Sequence, residues 1–183
     1  MIGGGNRASQ VAEEQGTTRQ EVLLACFRLG SAIYALEIMR IKEIIRPQKL
    51  TPIPKAPPFI EGVINLRGAV IPIVDLRKRF DLPTAVVDRK TRVIICALSG
   101  KIVGLVVDEV AEVRRYTRQD IQPSPQFLQG QGAEFFHGIC RRDEDLVMIL
   151  NLEKLLSTSE KIDLETIQQI KHEAEVQSDF EHA

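Results

Sequence analysis

A chain of 183 residues, 44% hydrophobic and 27% charged, can bury one ordinary core or two small ones side by side. Its 24 Lys and Arg balance 25 Asp and Glu to a formal charge of -1, which leaves no long-range field to draw the whole molecule onto nucleic acid or an anionic membrane. Cys26, Cys96 and Cys140 are far apart, the first two inside apolar runs, so neither a disulfide framework nor a metal site is expected, and a reducing cytoplasm suits them.

Residues 1–20, MIGGGNRASQVAEEQGTTRQ, are rich in Gly, Gln, Ser and Thr and offer too little apolar surface to offset the entropy of ordering; a disordered N-terminal arm is expected. No stretch there resembles a signal peptide, and no window of the chain approaches the ~20 apolar residues of a membrane helix, so a cytoplasmic location is expected. From Glu21 short β-branched runs alternate with turn residues: VLLACFRL, Gly30-Ser31, AIYALEIMRIKEII. This pattern predicts a hairpin and a further strand. A proline-containing loop, TPIPKAPPF, leads to two apolar runs meeting at Arg67-Gly68 and then to LRKRF, a second hairpin followed by a short helix capped by Asp75.

The same order returns. TRVIICAL, Ser99-Gly100 and KIVGLVVDEVAEVRR overlay the first hairpin at an offset of 69, placing Ile33 on Ile102, Ala35 on Gly104, Ile41 on Val110 and Glu43 on Glu112. IQPSPQF replaces the first loop, and Gly138 to Lys154 overlays Gly62 to Lys78 at an offset of 76, with Asn151 in the capping place of Asp75. The chain is therefore an internal duplication of one unit, about 21–80 and about 91–156. Four or five short strands cannot cover a flat sheet, so each unit is expected to curl into a small barrel, with exchange of strands between barrels left open. Beyond Leu156, residues 157–183 space Leu164, Ile167, Ile170 and Ala174 by three or four, predicting an amphipathic helical tail that lies on a barrel or binds a partner.

Chemistry is sparse. His137, His172 and His182 are the only histidines, and no His-Cys or His-Asp pairing suggests a catalytic group, so no catalytic residue, metal or cofactor is assigned. An enzyme or small-ligand sensor would have to use the cleft between barrels, with His137 and Cys140 nearby. The glycine clusters at 3–5 and 130–132 lack the residues that complete a phosphate loop. The basic stretches LRKRF, RRY with Arg118, and RRDED lack interleaved aromatics, which argues against a nucleic-acid surface. Glycines inside strand patterns, Gly62 and Gly104, mark a bulge or a close backbone approach, and Pro72 marks an edge or bulged strand where a partner could dock. The composition points to recognition.

The stretch EGVINLRGAVIPIVDLRKRF, with IVGLVVDEVAEV and LVMILNLEKLL following in that order, resembles the CheW-like chemotaxis coupling proteins from about Val22 to Leu156. The resemblance implies an all-β domain over 21–156 made of two SH3-like five-stranded barrels, without enzymatic activity. It implies an adaptor between the cytoplasmic tips of methyl-accepting chemoreceptors and the regulatory domain of the histidine kinase CheA, in a flagellar or a pili-type pathway. It further implies a receptor contact at Arg67, Asn65, Gly62, Ile41 and Glu43, and a kinase contact along an apolar edge at Ile102, Val103, Gly104 and Leu105. Direct insertion into the membrane is not implied; association with receptor arrays would run through the partners.

Overall fold

The computed structural model describes residues 20–124, 132–156 and 160. The arm and the helical tail expected from the sequence fall outside these residues, apart from Gln20 and Glu160. In chain order the elements are β1 (Glu21–Leu29), β2 (Ala32–Glu37), β3 (Ile41–Ile45), β4 (Ile60–Leu66), β5 (Ala69–Asp75), α1 (Leu76–Arg79), β6 (Arg92–Leu98), β7 (Lys101–Val107), β8 (Glu109–Thr117), β9 (Phe136–Arg142), β10 (Asp145–Leu150) and α2 (Leu152–Leu155). The second five strands and their helix repeat the first five with theirs.

The strands form two five-stranded sheets, ordered β8-β1-β2-β10-β9 and β3-β6-β7-β5-β4, the two SH3-like barrels of the fold. Each sheet takes the first hairpin of one copy and the last three strands of the other. The boundaries 21–80 and 91–156 therefore mark the duplicated units and not the sheets, which exchange strands reciprocally. The chain changes sheet at the 3₁₀ turn Ile38–Arg40 and at Asp108, the single residue between β7 and β8. Register obeys the offsets found in the sequence. Ala35 pairs with Cys26 and, in parallel, with Ile149; its counterpart Gly104 pairs with Ile95 and, in parallel, with Ile73.

Side-chain alternation sorts the apolar residues among those described into three clusters. Leu24, Cys26, Ile33, Ala35, Val147 and Ile149 fill the first barrel, and Ile64, Ile71, Ile73, Val93 and Ile95 fill the second. The opposite faces of the same strands supply the third, including Phe27, Leu29, Leu36, Val74, Ile94, Leu98, Val103, Leu105, Val107 and Leu150. Among the described residues this inter-barrel cluster is larger than the two interiors together. At roughly 1.5–3 kcal/mol for each fully buried large apolar side chain, the barrels hold one another rather than standing alone.

Asp75 caps α1 as its residue type predicts: Oδ1 accepts from the Arg77 N–H at 2.8 Å and the Lys78 N–H at 3.3 Å. Asn151 does not cap α2 with its side chain. Its backbone carbonyl takes the Lys154 N–H at 3.1 Å and its N–H donates to the Phe135 carbonyl at 2.7 Å, so the main chain closes that turn. Pro72 does not mark an edge either. β5 lies inside its sheet, and its parallel ladder to β7 spans only Ile73 to Asp75, so the missing N–H falls one residue before that ladder begins.

Candidate functional site

The hairpin between β4 and β5 turns on two residues, Arg67 with φ 52° and Gly68 with φ 85°. Positive φ at both central positions is the signature of the type I′ turn that matches strand twist. Glycine bears it freely; an arginine there carries strain of order 1 kcal/mol. The turn is stitched by Asn65, whose Oδ1 accepts the Gly68 N–H at 2.9 Å. Arg67 stands out from the tip with its side chain 70% exposed and pairs with Glu43 on β3. Since β3 and β4 are the two ends of that sheet, the ion pair lies across the seam of the barrel. The seam is also held by Thr51 and Val63, which exchange two backbone hydrogen bonds at 2.8 and 2.9 Å.

The structure thus brings Arg67, Asn65 and Glu43 together on one exposed rim. It separates Gly62 from them in role. Gly62 is buried with φ 143°, and a Cβ there would run into the Thr51 carbonyl, 3.0 Å from its carbon, so this glycine admits the seam rather than a partner. Ile41 is half-buried and packs on the inter-barrel cluster. Two exposed apolar side chains lie elsewhere on the same stretch: Ile44, 41% exposed and in the strand phase opposite Glu43, and Met39, 88% exposed on the 3₁₀ turn before β3, where it lines a groove of the first barrel. The exposure of Ile44 was legible, because it sits in the outward phase of a strand whose inward phase is Ile41, Glu43 and Ile45.

The first barrel carries the same device with the charge of its tip reversed. Glu112, the counterpart of Glu43, pairs with Arg114 and Arg142, and the tip residue of the β9–β10 turn is Asp143, φ 55°, with its side chain 78% exposed. A cationic tip is therefore not a requirement of the barrel.

The segment expected to form an apolar edge is corrected by the topology. β7 is the middle strand of its sheet, flanked by β6 and β5. Val103 and Leu105 are buried in the inter-barrel cluster, and a Cβ on Gly104 would lie 2.5 Å from Ile73 Cδ1 and 2.8 Å from Val93 Cγ1. The glycine makes room for the barrel's own side chains. Only Ile102 of the four is partly exposed.

The basic cluster on α1 is engaged internally. Arg77 donates to Asp108 through Nε at 2.8 Å and through Nη2, and to the Pro83 carbonyl at 2.6 Å. Lys78 pairs with Glu61 at 2.5 Å. Arg79 lies over the rings of Phe59 and Phe135 at 4.5 and 4.8 Å and donates to the Leu155 carbonyl at 2.7 Å, a sheltered cation–π arrangement. A nucleic-acid surface loses its strongest candidate.

Burial at Asp108 opposes ionisation, but the hydrogen bonds from Arg77 and the Gly30 N–H, together with the Arg77 charge, outweigh it and hold the carboxyl below its ordinary value. A depressed carboxylate contributes stability above its unfolded pKa and loses it as pH falls through the folded value. Asp108→Asn is therefore expected to cost about 1–2 kcal/mol at pH 7, with the deficit closing below about pH 4. Urea midpoints measured against pH would show it, and a deficit independent of pH would remove the carboxylate from the explanation.

Among the described residues, neither His137 nor Cys140 lines the inter-barrel cleft. It encloses about 250 Å³, lined by Tyr34, Arg79, Phe80, Phe136 and Met148 among others, whereas His137 lines another groove and Cys140 is buried inside the first barrel. Among the described residues no cluster of His, Cys, Asp and Glu has a metal-binding arrangement. Burial raises all three thiols, Cys96 to about 12 and Cys140 to about 11. Thiol reagents at pH 7.5 are expected to label the native protein at least a hundredfold more slowly than the unfolded chain; fast native labelling would disprove the burial. Among the described residues no helix is long and apolar enough to cross a membrane.

Comparison with known proteins accords with this geometry. Residues 23–160 match the model of the CheW-like domain. "Chemotaxis protein CheW" of Klebsiella aerogenes is 37% identical over 79% of this chain and 86% of its own, and that of Treponema pallidum 35% over 77% and 85%. "Protein FrzA" of Myxococcus xanthus is 33% identical over 77% and 89%. The crystal structure of scaffolding protein TtCheW from Thermoanaerobacter tengcongensis superposes with a TM-score of 0.72 at 32% identity, covering 79% of this chain and 94% of that one.

Proposed function

The chain belongs to the CheW-like domain family, whose named members are chemotaxis and scaffolding proteins and not enzymes, and on that premise we propose that it couples chemoreceptor tips to the histidine kinase CheA. The observation that carries the reading is the Arg67 rim. A guanidinium held in the open on a strained two-residue turn, beside Asn65 and Glu43, presents forked donors on an exposed rim. A helical receptor tip offers the complement, carbonyl and carboxylate oxygens. Transmission of a conformational bias, with no bond made or broken, fits a site without reactive groups.

For the kinase, the proposal narrows from Ile102, Val103, Gly104 and Leu105 to Ile102 as the one side chain of the segment able to meet a partner, with the other three keeping the strand in place. The assay is association of the purified chain with a receptor-tip fragment and with the CheA regulatory domain. Binding of each at micromolar to tens of micromolar concentration is expected; binding to neither would end the reading. A second reading, an adaptor of a non-flagellar chemosensory pathway, is favoured by the likeness to Protein FrzA, and co-purification from the native cell separates the two by the receptor and kinase recovered.

A further inference from the structure

The reciprocal exchange of strands makes each barrel a joint product of residues 21–80 and 91–156, and the charges along their junction are sorted. At one crossover Arg77 of the first half holds Asp108 of the second, and Asp108 also accepts the Gly30 N–H at 2.7 Å. At the related crossover Arg40 of the first half meets Glu153 of the second at 3.2 Å, and Glu153 also accepts from the Ser99 N–H at 3.2 Å and from its hydroxyl. Near the junction of α1 and α2, Arg79 of the first half pairs at 3.5 Å with Glu160, four residues beyond the end of the second. In all three the cation comes from the first half. The exposed Arg115–Glu21 pair runs the other way, at the rim.

The offsets of 69 and 76 show what two identical halves would meet. Two first halves would set Arg77, in the place of Glu153, against Arg40, and would bring one Arg79 onto another where Leu155 now lies. Two second halves would set Glu153, in the place of Arg77, against Asp108, and Glu153 again against Glu109 in the place of Arg40. Like charges would face one another each time. The totals agree: residues 21–80 hold ten Lys and Arg against five Asp and Glu, whereas residues 91–156 hold eight against nine.

We propose that the two halves are complementary recognition partners: each pairs with the opposite half, of its own chain or of a second copy, and not with itself. Residues 81–90 join them without strand or helix and are exposed except Leu82, Val86 to 91%. A short tether gives an effective concentration of about millimolar, so the closed monomer prevails in dilute solution, and exchange between copies requires refolding near that concentration.

The test uses the full chain with a protease site inserted after Val86. After cleavage the two pieces are expected to elute together with unchanged circular dichroism, and to re-pair one to one after unfolding in denaturant and dilution. Arg40→Glu is expected to weaken re-pairing about threefold, and Glu153→Arg in the same chain to restore it. When tagged and untagged chains are refolded together at about millimolar concentration and then cleaved, tagged first halves should be recovered with untagged second halves. Pieces that part on cleavage, a piece that pairs with itself into the same fold, a double variant no better than the single, or purely parental pairs would each overturn the proposal.

Discussion

Arg67→Glu is expected to weaken association with a receptor-tip fragment about tenfold or more, the loss of a forked, charge-assisted hydrogen bond, while leaving kinase binding and the fold in place. The same substitution sets a glutamate beside Glu43 across the barrel seam. Because Arg67 is 70% exposed and Glu43 33%, solvent screening limits that cost to about 1 kcal/mol or less, a few degrees in unfolding temperature for a domain of this size. Thr51 and Val63 still close the seam. Titration calorimetry with both partners and a melting curve decide the matter. Equal loss of receptor and kinase binding, or a melting point lowered by more than ten degrees, would make Arg67 a structural residue and leave the receptor contact to be sought elsewhere.

Leu105→Ala is expected to cost about 3–4 kcal/mol, in the range for removing a fully buried leucine from a packed core, and Ile102→Ala less than about 1 kcal/mol. Leu105 is 0% exposed in the cluster that joins the barrels, so its truncation opens a cavity at the place where each barrel depends on the other. Any fall in kinase affinity for Leu105→Ala should then track the unfolded fraction and recover when temperature is lowered. Ile102→Ala should instead lower kinase affinity in a protein that remains folded. Wild-type stability in Leu105→Ala together with lost kinase binding would put this segment back on the surface.

Much of this was legible because the chain states its pattern twice. The alternation in VLLACFRL and TRVIICAL, the turn pairs Gly30-Ser31 and Ser99-Gly100 and the two constant offsets define the strands, and the register follows the same offsets to the residue. The exchange of strands left no such mark. β2 looks the same to a reader of sequence whether it pairs with β5 or β10, since both present an apolar run of similar length. The arginine tip was legible as a hairpin turn, and its partner Glu43 lay in an alternating run, but their meeting depends on closure of the barrel, which brings together residues 24 apart at opposite ends of one sheet. Gly104 misled for a related reason. An absent side chain invites close approach, and only the packed structure shows that Ile73 and Val93 fill the space from within.

The parallel pairing of Ile33 to Ala35 with Val147 to Ile149 sets a timetable for the growing chain. The first hairpin emerges early from synthesis, yet one of its edges has no strand to meet until β10, almost the whole domain later. Loop closure of that length makes folding slow relative to helical domains of the same size, and for that interval an apolar β2 edge stands open to other chains. A ribosome-bound nascent chain halted near residue 140 should be the species most prone to aggregate and most readily captured by chaperones, with release coinciding with the arrival of β10.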